Sequence, residues 1–180
     1  MDKKALIRKR YFHIRKTKYF EIDYKFFNPL INLINNFKKK KKNISIYYPS
    51  FYEVNVLKFL DCPKKINFLL PLIEKNNSIN FYKWKKNDIL FLNEYGIPEP
   101  KKTKKINPDI IMVPLIAFDE NKNRIGYGKG FYDKYLNKYK SINKNILTVG
   151  IAFSFQKYNK LPANNKDFKL DYIITEKGIF

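Results

Sequence analysis

The stretch from Asp109 to Asp133 constrains the fold of this 180-residue chain more than any other part of the sequence. It opens with an apolar run rich in β-branched residues at positions 110–113, and Pro114 ends the run. A short, continuous apolar run of this kind predicts a strand that is buried on both faces. A polar turn at residues 119–123 follows it.

The loop after this turn is rich in glycine. Three glycines stand at alternate positions, with a lysine between the last two: Gly126, Gly128, Lys129 and Gly130. A helical pattern begins directly after them at Phe131. A buried strand that leads through such a loop into a helix predicts an anion site. Glycines let backbone N–H groups approach oxygens closely, and the helix N-terminus adds partial positive charge.

Two familiar phosphate motifs do not fit this loop. A dinucleotide fingerprint requires glycine at the sixth position counted from Gly126, where the chain has Phe131. A Walker loop requires Ser or Thr after its Gly-Lys pair, where the chain has Gly130. From the loop alone, the alternative of a glycine-rich hairpin turn that binds no ligand therefore remains.

Further segments extend the pattern in both directions along the chain. They are Ile44-Ser45-Ile46-Tyr47-Tyr48, Glu53-Val54, Phe68-Leu69-Leu70-Pro71, Gly96-Ile97-Pro98-Glu99-Pro100, Ala117-Phe118-Asp119, Asn123-Arg124-Ile125 and Asp167-Phe168-Lys169-Leu170-Asp171. In this order and spacing, they and the glycine loop resemble the signature of the 5-formyltetrahydrofolate cyclo-ligases, also called methenyltetrahydrofolate synthetases. The resemblance implies ATP-dependent cyclisation of 5-formyltetrahydrofolate to 5,10-methenyltetrahydrofolate. In that reaction ATP phosphorylates the formyl oxygen, and the ring closes with loss of phosphate.

The resemblance also implies the residues of a site. Those expected to bind ATP are Lys4, Arg8, Arg124, Gly126, Tyr127, Gly128, Lys129, Gly130, Phe131 and Tyr132. Those expected to contact the folate are Tyr48, Glu53, Tyr127, Gly128, Lys129, Gly130 and Phe131. Asp133 and Asp167 are the expected Mg²⁺ ligands, with Asp171 as the alternative to Asp167. Lys129 and Arg124 are expected to act in catalysis by neutralising charge on the triphosphate.

Several of these residues have ordinary structural interpretations that stay open. Lys3 and Arg10 compete with Lys4 and Arg8 for the two N-terminal positions, and a solvated basic helix face explains all four. Glu53 and Asp133 are acids of the kind that favours the first turn of a helix. A carboxylate at Glu53 also suits a reduced pterin, whose adjacent ring N–H and amino donors match a bidentate acceptor.

Apolar periodicity predicts the remaining elements. Residues 3–16 are expected to form a helix with Leu6, Ile7, Tyr11 and Ile14 on its buried face. A second helix is expected over about residues 17–37, and Pro29 is a candidate for a break in it. Strands are expected at residues 44–48, 66–70, 79–84, 110–113, 147–153 and 170–174. Residues 85–105 are expected to form a rigid, irregular connection.

Strands separated by helices indicate an α/β fold: a single domain over residues 1–180, with a mostly parallel central sheet flanked by helices. Ligands of such sheets bind beyond the carboxyl ends of the strands, so the glycine loop and the turn at Glu53 are expected to meet at one edge. Trp84 and Tyr95 are either core aromatics or stacking partners for a pterin or adenine.

The formal charge of +21 admits a second class of function, a basic RNA-binding protein. Almost all of this charge is lysine, whereas nucleic-acid readers rely on arginine, and the abundance of Lys, Asn, Ile, Tyr and Phe is typical of AT-rich codons. We therefore expect no specific nucleic-acid partner. The five-lysine run at 38–42 is expected to be a solvated turn. A non-catalytic folate-binding module on the same fold is the other alternative.

Composition also bears on the surroundings of the protein. The one cysteine, Cys62, excludes an intramolecular disulfide, and the one histidine, His13, excludes a multi-histidine metal site. No stretch approaches the roughly 20 apolar residues of a membrane span, and the basic N-terminus lacks the apolar core of a secretory signal. We expect a cytoplasmic monomer that acts on 5-formyltetrahydrofolate, with polyglutamylated forms among the candidate substrates.

Overall fold

The computed structural model of the protein describes residues 2–36, 42–62, 65–75, 78–142 and 145–180. The strands in these residues are β1 (Lys42–Ser45), β2 (Ile66–Ile73), β3 (Ile79–Lys83), β4 (Leu90–Leu92), β5 (Pro98–Pro100), β6 (Ile110–Pro114), β7 (Ala117–Phe118), β8 (Arg124–Ile125), β9 (Leu147–Ile151), β10 (Tyr172–Thr175) and β11 (Gly178–Ile179). The α-helices are α1 (Lys3–Lys18), α2 (Asn28–Asn35) and α3 (Phe131–Ile142). Short 3₁₀ segments cover Tyr24–Phe27, Val56–Asp61 and Ser154–Gln156.

The centre of the fold is a mostly parallel sheet. Seven of the described strands pair in the order β11-β10-β9-β6-β1-β2-β3. The five inner strands run parallel, and β3 and β11 add antiparallel edges. The predicted fold class is therefore confirmed. Because β1 and β6 are parallel neighbours, the segments that follow them, towards Glu53 and towards the glycine loop, leave the sheet at the same edge.

Strand β6 is buried on both faces, as its apolar run predicts. Ile110 and Met112 belong to the core cluster that includes the buried face of α2. Ile111 and Val113 belong to the cluster that includes Tyr135 and Leu136 of α3. Burial of each such side chain stabilises the fold by roughly 1.5–3 kcal/mol. This strand therefore anchors the loop that follows it against two cores.

The first helix differs from its predicted form in its buried face. Helix α1 continues to Lys18, and Ile7 and Tyr11 are buried as expected, while Ile14 is only partly buried. Leu6, in contrast, is 48% exposed, and Arg15 is fully buried. The apolar pattern placed the face about one position away from the observed one, because it treats arginine as a surface residue.

The second predicted helix, over residues 17–37, is wrong for most of its length. The chain has no regular secondary structure at residues 19–23, forms the 3₁₀ turn Tyr24–Phe27 and enters α2 at Asn28. Pro29 lies in the first turn of α2, where its missing N–H costs nothing, so it starts the helix instead of breaking one.

Residues 85–105 contain regular structure that the sequence pattern did not indicate. Strands β4 and β5 pair as an antiparallel hairpin around the turn at Gly96, which has a positive φ of 71°. The irregular connection predicted there is therefore wrong. Trp84 lies in the core with 4% of its surface exposed, so it is a core aromatic.

The other predicted strands are present with shifted ends. β2 extends to Ile73, β9 ends at Ile151, and β10 begins at Tyr172 and not at residue 170. Of the five-lysine run, residues 38–41 lie outside the described part of the chain, and Lys42 begins β1. No helix within the described ranges is long and apolar enough to cross a membrane.

Candidate active site

A cavity of about 580 Å³ lies where β1 and β6 end, a size typical of small-molecule sites. Its walls include Tyr47, the second residue after β1, and Pro114, the last residue of β6. Apart from the alternatives, every residue that the sequence assigned to the site lines this one cavity. These are Lys4, Arg8, Tyr48, Glu53, Arg124, Gly126, Tyr127, Gly128, Lys129, Gly130, Phe131, Tyr132, Asp133 and Asp167. The structure therefore brings them together, while the role of each stays a prediction.

The glycine loop joins β8 to the N-terminus of α3. Gly128 and Gly130 have φ values of 96° and 69°, in the left-handed region that residues with a side chain avoid. Within the described residues, no backbone amide from Gly126 to Gly130 donates a hydrogen bond to the protein. The loop thus presents unpaired N–H groups beside a helix N-terminus, which is the arrangement that binds phosphate.

Helix α1 supplies two cations that contact this region. The Arg8 Nε donates to the Gly126 carbonyl at 2.9 Å, and the Arg8 guanidinium lies against Gly128. The Lys4 Nζ lies 2.5 Å from Asp167 Oδ2. The competing residues Lys3 and Arg10 are exposed and do not line the cavity. The helix register therefore points Lys4 and Arg8 at the site.

Glu53 reaches the cavity through a strained turn. Phe51 and Tyr52 have φ values of 48° and 62°, which are costly for residues with a side chain. The Glu53 backbone N–H donates to the Ser50 carbonyl, and its Oε2 accepts from the Ser50 N–H at 2.8 Å. These bonds close the turn and place the carboxylate, 6% exposed, at the cavity wall.

The loop and Glu53 are joined directly by Tyr127. Its hydroxyl donates to Glu53 Oε1 at 2.5 Å and accepts from Arg15 Nη2 at 2.7 Å. Burial raises the pKa of the Glu53 carboxyl, although Arg15, Tyr127 and Ser50 each act in the opposite direction. Burial, followed by the Glu53 charge, raises the pKa of Tyr127, so this hydroxyl remains a donor. Sequence patterns did not reveal Arg15, because nothing local distinguishes it from the exposed basic residues of α1.

Over residues 3–176 the chain matches the model of the 5-formyltetrahydrofolate cyclo-ligase family. The chain belongs to this family. Its relatives include 5-formyltetrahydrofolate cyclo-ligases from Haemophilus influenzae, with 30% identity over 78% of each chain, and from Mycoplasma genitalium, with 35% identity over 74% of this chain and 72% of that one. A probable 5-formyltetrahydrofolate cyclo-ligase of Schizosaccharomyces pombe is 33% identical, and that match spans 63% of each chain, just under two thirds.

Solved structures agree with this membership. The NMR structure of the Aquifex aeolicus 5,10-methenyltetrahydrofolate synthetase superposes with a TM-score of 0.75 and 32% identity, over 98% of this chain and 91% of that one. The Mycoplasma pneumoniae 5,10-methenyltetrahydrofolate synthetase has a TM-score of 0.69 over 96% of this chain and 98% of that one. At 24% identity, this second likeness shows the fold alone.

In this cyclo-ligase family member, Arg124 is a structural partner as well as a cavity residue. Its buried guanidinium donates to the Phe168 carbonyl at 2.8 Å and lies 2.9 Å from Asp133 Oδ1. The Phe168 N–H donates to the same carboxylate oxygen at 3.0 Å. Arg124 therefore clamps the segment after Asp167 to the start of α3, and it faces the cavity from this fixed position.

The donor atoms of the two predicted metal ligands suit a magnesium ion. Asp133 Oδ1 and Asp167 Oδ2 carry the cation contacts, to Arg124 and Lys4, while the other oxygen of each has no protein partner in the described residues. Mg²⁺ commonly takes one or two carboxylates and completes its shell with phosphate oxygens and water. No group of three or more His, Cys, Asp or Glu side chains suited to a metal occurs in the described ranges, so a sparse set is all that the cavity offers.

The alternative ligand, Asp171, lies elsewhere. Its Oδ1 pairs with Lys140, and its Oδ2 accepts from the N–H and hydroxyl of Thr148. It does not line the cavity. Asp171 instead ties α3 to β9.

The hairpin of β4 and β5 forms the opposite wall. The Tyr95 ring lies 5.3 Å below the Lys129 ammonium and 6.1 Å from the Phe131 ring, so Tyr95 contacts the glycine loop. Glu99 Oε1 accepts from the Ile73 N–H and the Asn93 side-chain amide, which fixes the hairpin to β2. The sequence pattern did not predict the two strands of this wall, although it did indicate the turn at Gly96.

Proposed function

We propose that this protein converts 5-formyltetrahydrofolate and ATP to 5,10-methenyltetrahydrofolate, ADP and phosphate. Family membership supports this activity, and the contact between Tyr127 and Glu53 is the structural observation on which the proposal depends. The backbone of Tyr127 belongs to the anion-binding loop, while its hydroxyl bonds the carboxylate of Glu53. One cavity thus joins a site for a nucleotide's phosphates to an acceptor for a reduced pterin.

The reaction has a simple chemical requirement. An amide oxygen is a poor leaving group, so the formyl oxygen attacks the γ-phosphorus of ATP and ADP departs. The neighbouring folate nitrogen then attacks the formyl carbon and loses its proton, the ring closes and phosphate leaves. Such chemistry asks the protein to align two substrates and to stabilise the charge on the transferring oxygens.

The glycine loop and α1 serve the phosphates in this proposal. The amides from Gly126 to Gly130 and the N-terminus of α3 bind phosphate oxygens, since they have no acceptor among the described residues. Lys129 is exposed at the cavity and pairs with no carboxylate in the described residues, so its ammonium can move from the Tyr95 ring to the γ-phosphate. Lys4, Arg8 and Arg124 add positive charge around them.

The folate binds at the other end of the cavity. Glu53 accepts hydrogen bonds from the pterin, and Tyr48 packs beside it. The Tyr132 hydroxyl is buried without a hydrogen-bond partner in the described residues, and burial raises its pKa, so it offers an unused donor at the cavity. Unsatisfied buried hydroxyls are rare, which favours a role in binding a ligand.

Asp133 and Asp167 would hold Mg²⁺ through their uncommitted oxygens. When bound, the ion would neutralise charge on the triphosphate. We further propose that the protein acts as a monomer, since the described residues of one chain line the cavity. The single cysteine, Cys62, favours a reducing compartment, and we propose the cytoplasm. The +21 charge favours the arrival of anionic substrates, polyglutamylated folate included.

The test is an absorbance assay for methenyltetrahydrofolate formed from 5-formyltetrahydrofolate and Mg-ATP. Lys129→Ala and Asp133→Asn are compared with Lys134→Ala, which removes an exposed lysine of α3 that does not line the cavity. We expect product from the wild type and from Lys134→Ala, with strongly reduced turnover in the other two variants.

Absence of product from the folded wild-type protein refutes the proposed activity. Folate binding without turnover and without any response to Mg-ATP would instead identify a non-catalytic folate-binding module. Tight, steeply salt-dependent binding of oligonucleotides without ATP turnover would identify an RNA-binding protein.

A further inference from the structure

Arg15 is an unusual residue because its side chain is a fully buried cation. Its exposed fraction is 0%, although it lies on a helix whose other basic residues are exposed or partly exposed. Nη1 donates to the Leu115 carbonyl at 3.2 Å, and Nη2 donates to the Tyr127 hydroxyl at 2.7 Å. The guanidinium also lies 5.2 Å from the Phe12 ring and 5.6 Å from the Tyr127 ring. Removing a charge from water is costly, so a buried cation needs a compensating anion.

That anion is Glu53. Tyr127 stands between the two charges, accepting from Arg15 and donating to Glu53 Oε1. Leu115 follows β6 and Tyr127 belongs to the glycine loop, so Arg15 links α1, the end of the central strand and the candidate folate acceptor. The contact with Glu53 is indirect, through one hydroxyl.

In the described part of the chain, the other groups that face Glu53 bring no positive charge. Ser50 donates from its backbone and hydroxyl, and three phenols, of Tyr47, Tyr127 and Tyr132, surround the carboxylate. Burial raises the pKa of each phenol, so all three remain neutral. Arg15 is the one cation in the described residues that lowers the pKa of the Glu53 carboxyl.

We propose that Arg15 is a positioning residue that keeps Glu53 a carboxylate in the buried cavity and holds Tyr127 of the glycine loop against it. The consequence of this role rests on the proposed function. An ionised Glu53 only accepts hydrogen bonds, whereas the neutral acid would turn an O–H donor towards the donors of a pterin. An arginine suits this place better than a lysine. Its guanidinium stays charged when buried, and its fork serves Leu115 and Tyr127 together.

Removal of the cation moves the protonation of Glu53 in a defined direction. Burial already favours the neutral acid, and Arg15 opposes it. In Arg15→Met the pKa of the Glu53 carboxyl should rise further, and the acid limb of folate binding should move to higher pH with it. A rise of one pKa unit corresponds to about a tenfold loss of affinity on that limb.

The first measurement requires no substrate. The carboxyl of Glu53 is titrated by NMR in ¹³C-glutamate-labelled protein, with its signal assigned by its absence from Glu53→Gln. We expect its midpoint to rise by at least about one unit in Arg15→Met. Lys16→Met is the matched control, since it removes the same charge at the next, exposed position of α1 and should leave the midpoint unchanged. An unchanged midpoint in folded Arg15→Met overturns the proposal.

Arg15→Gln provides an independent variant if Arg15→Met does not fold. It removes the cation, whose charge lowers the pKa of Glu53, and keeps a side-chain amide for the Leu115 carbonyl and the Tyr127 hydroxyl. A midpoint raised in this variant supports the proposal, and a wild-type midpoint contradicts it.

Binding of 5-formyltetrahydrofolate, followed by fluorescence across the pH range, supplies the functional readout. The acid limb of the binding curve should shift to higher pH in Arg15→Met and return towards the wild-type position in Arg15→Lys. Unshifted folate binding in Arg15→Met would overturn the functional consequence. Because the NMR titration uses ligand-free protein, the role of Arg15 can hold or fail independently of whether the protein closes the folate ring.

Discussion

Alanine substitutions along the glycine loop should change stability with opposite signs. The backbone of Gly126 is not left-handed, and a Cβ added there meets nothing within 4 Å. Gly126→Ala should therefore stabilise the protein by about 0.4–1 kcal/mol, because alanine reduces the entropy of the unfolded chain. Gly130 also has open space, but its φ is 69°. An alanine in that conformation costs about 1–2 kcal/mol, which leaves Gly130→Ala destabilised by about 1 kcal/mol.

Gly128→Ala should be the most damaging of the three. Its φ of 96° lies beyond the usual left-handed well, and an added Cβ would stand 3.4 Å from the Arg8 guanidinium carbon. Strain of this kind costs about 1–3 kcal/mol. Distortion of the strained loop should also raise the KM for ATP, so Gly128→Ala combines a loss of stability with a loss of nucleotide affinity.

Urea denaturation measures the free energy of unfolding for the three variants, and the methenyltetrahydrofolate assay measures the KM for ATP. The order from most to least stable should be Gly126→Ala, wild type, Gly130→Ala and Gly128→Ala. Equal changes at Gly126 and Gly130 would refute the conformations assigned to the loop. An unchanged KM for ATP in all three variants would refute its role in phosphate binding.

Substitutions at two further residues test the walls of the cavity. Glu53→Gln should raise the KM for 5-formyltetrahydrofolate by about 10- to 100-fold through lost charge-assisted hydrogen bonds. Burial raises the pKa of Glu53, which contributes stability that is present below the ordinary value of 4.5 and lost as pH rises through the folded-state value. Urea midpoints should therefore show the variant gaining on the wild type as pH rises above 4.5. Arg124→Met should lower the free energy of unfolding by about 2–3 kcal/mol, because Asp133 and the Phe168 carbonyl lose a buried partner, and Arg124→Lys by about half as much. A loss below about 0.5 kcal/mol in Arg124→Met, or parallel pH profiles for Glu53→Gln and the wild type, would contradict these contacts.

The sequence alone determined the centre of the molecule. The apolar run of β6, the glycine loop and the start of α3 were predicted where the structure has them, because each depends on local properties. Continuous apolarity indicates a strand buried on two faces, and alternating glycines before a helical pattern indicate a loop at a helix N-terminus. The family signature placed Glu53 beside this loop, and both line one cavity.

Only the tertiary structure decided which neighbours completed that cavity. Arg15 is buried because Tyr127 and the Leu115 carbonyl, about 100 residues along the chain, meet it there, and no local pattern separates it from the exposed Lys16. The hairpin of β4 and β5 likewise depends on the hydrogen bonds that Glu99 makes to Ile73 and Asn93. Local sequence sets the conformations that a segment favours, whereas burial and pairing depend on distant segments that meet only in the fold.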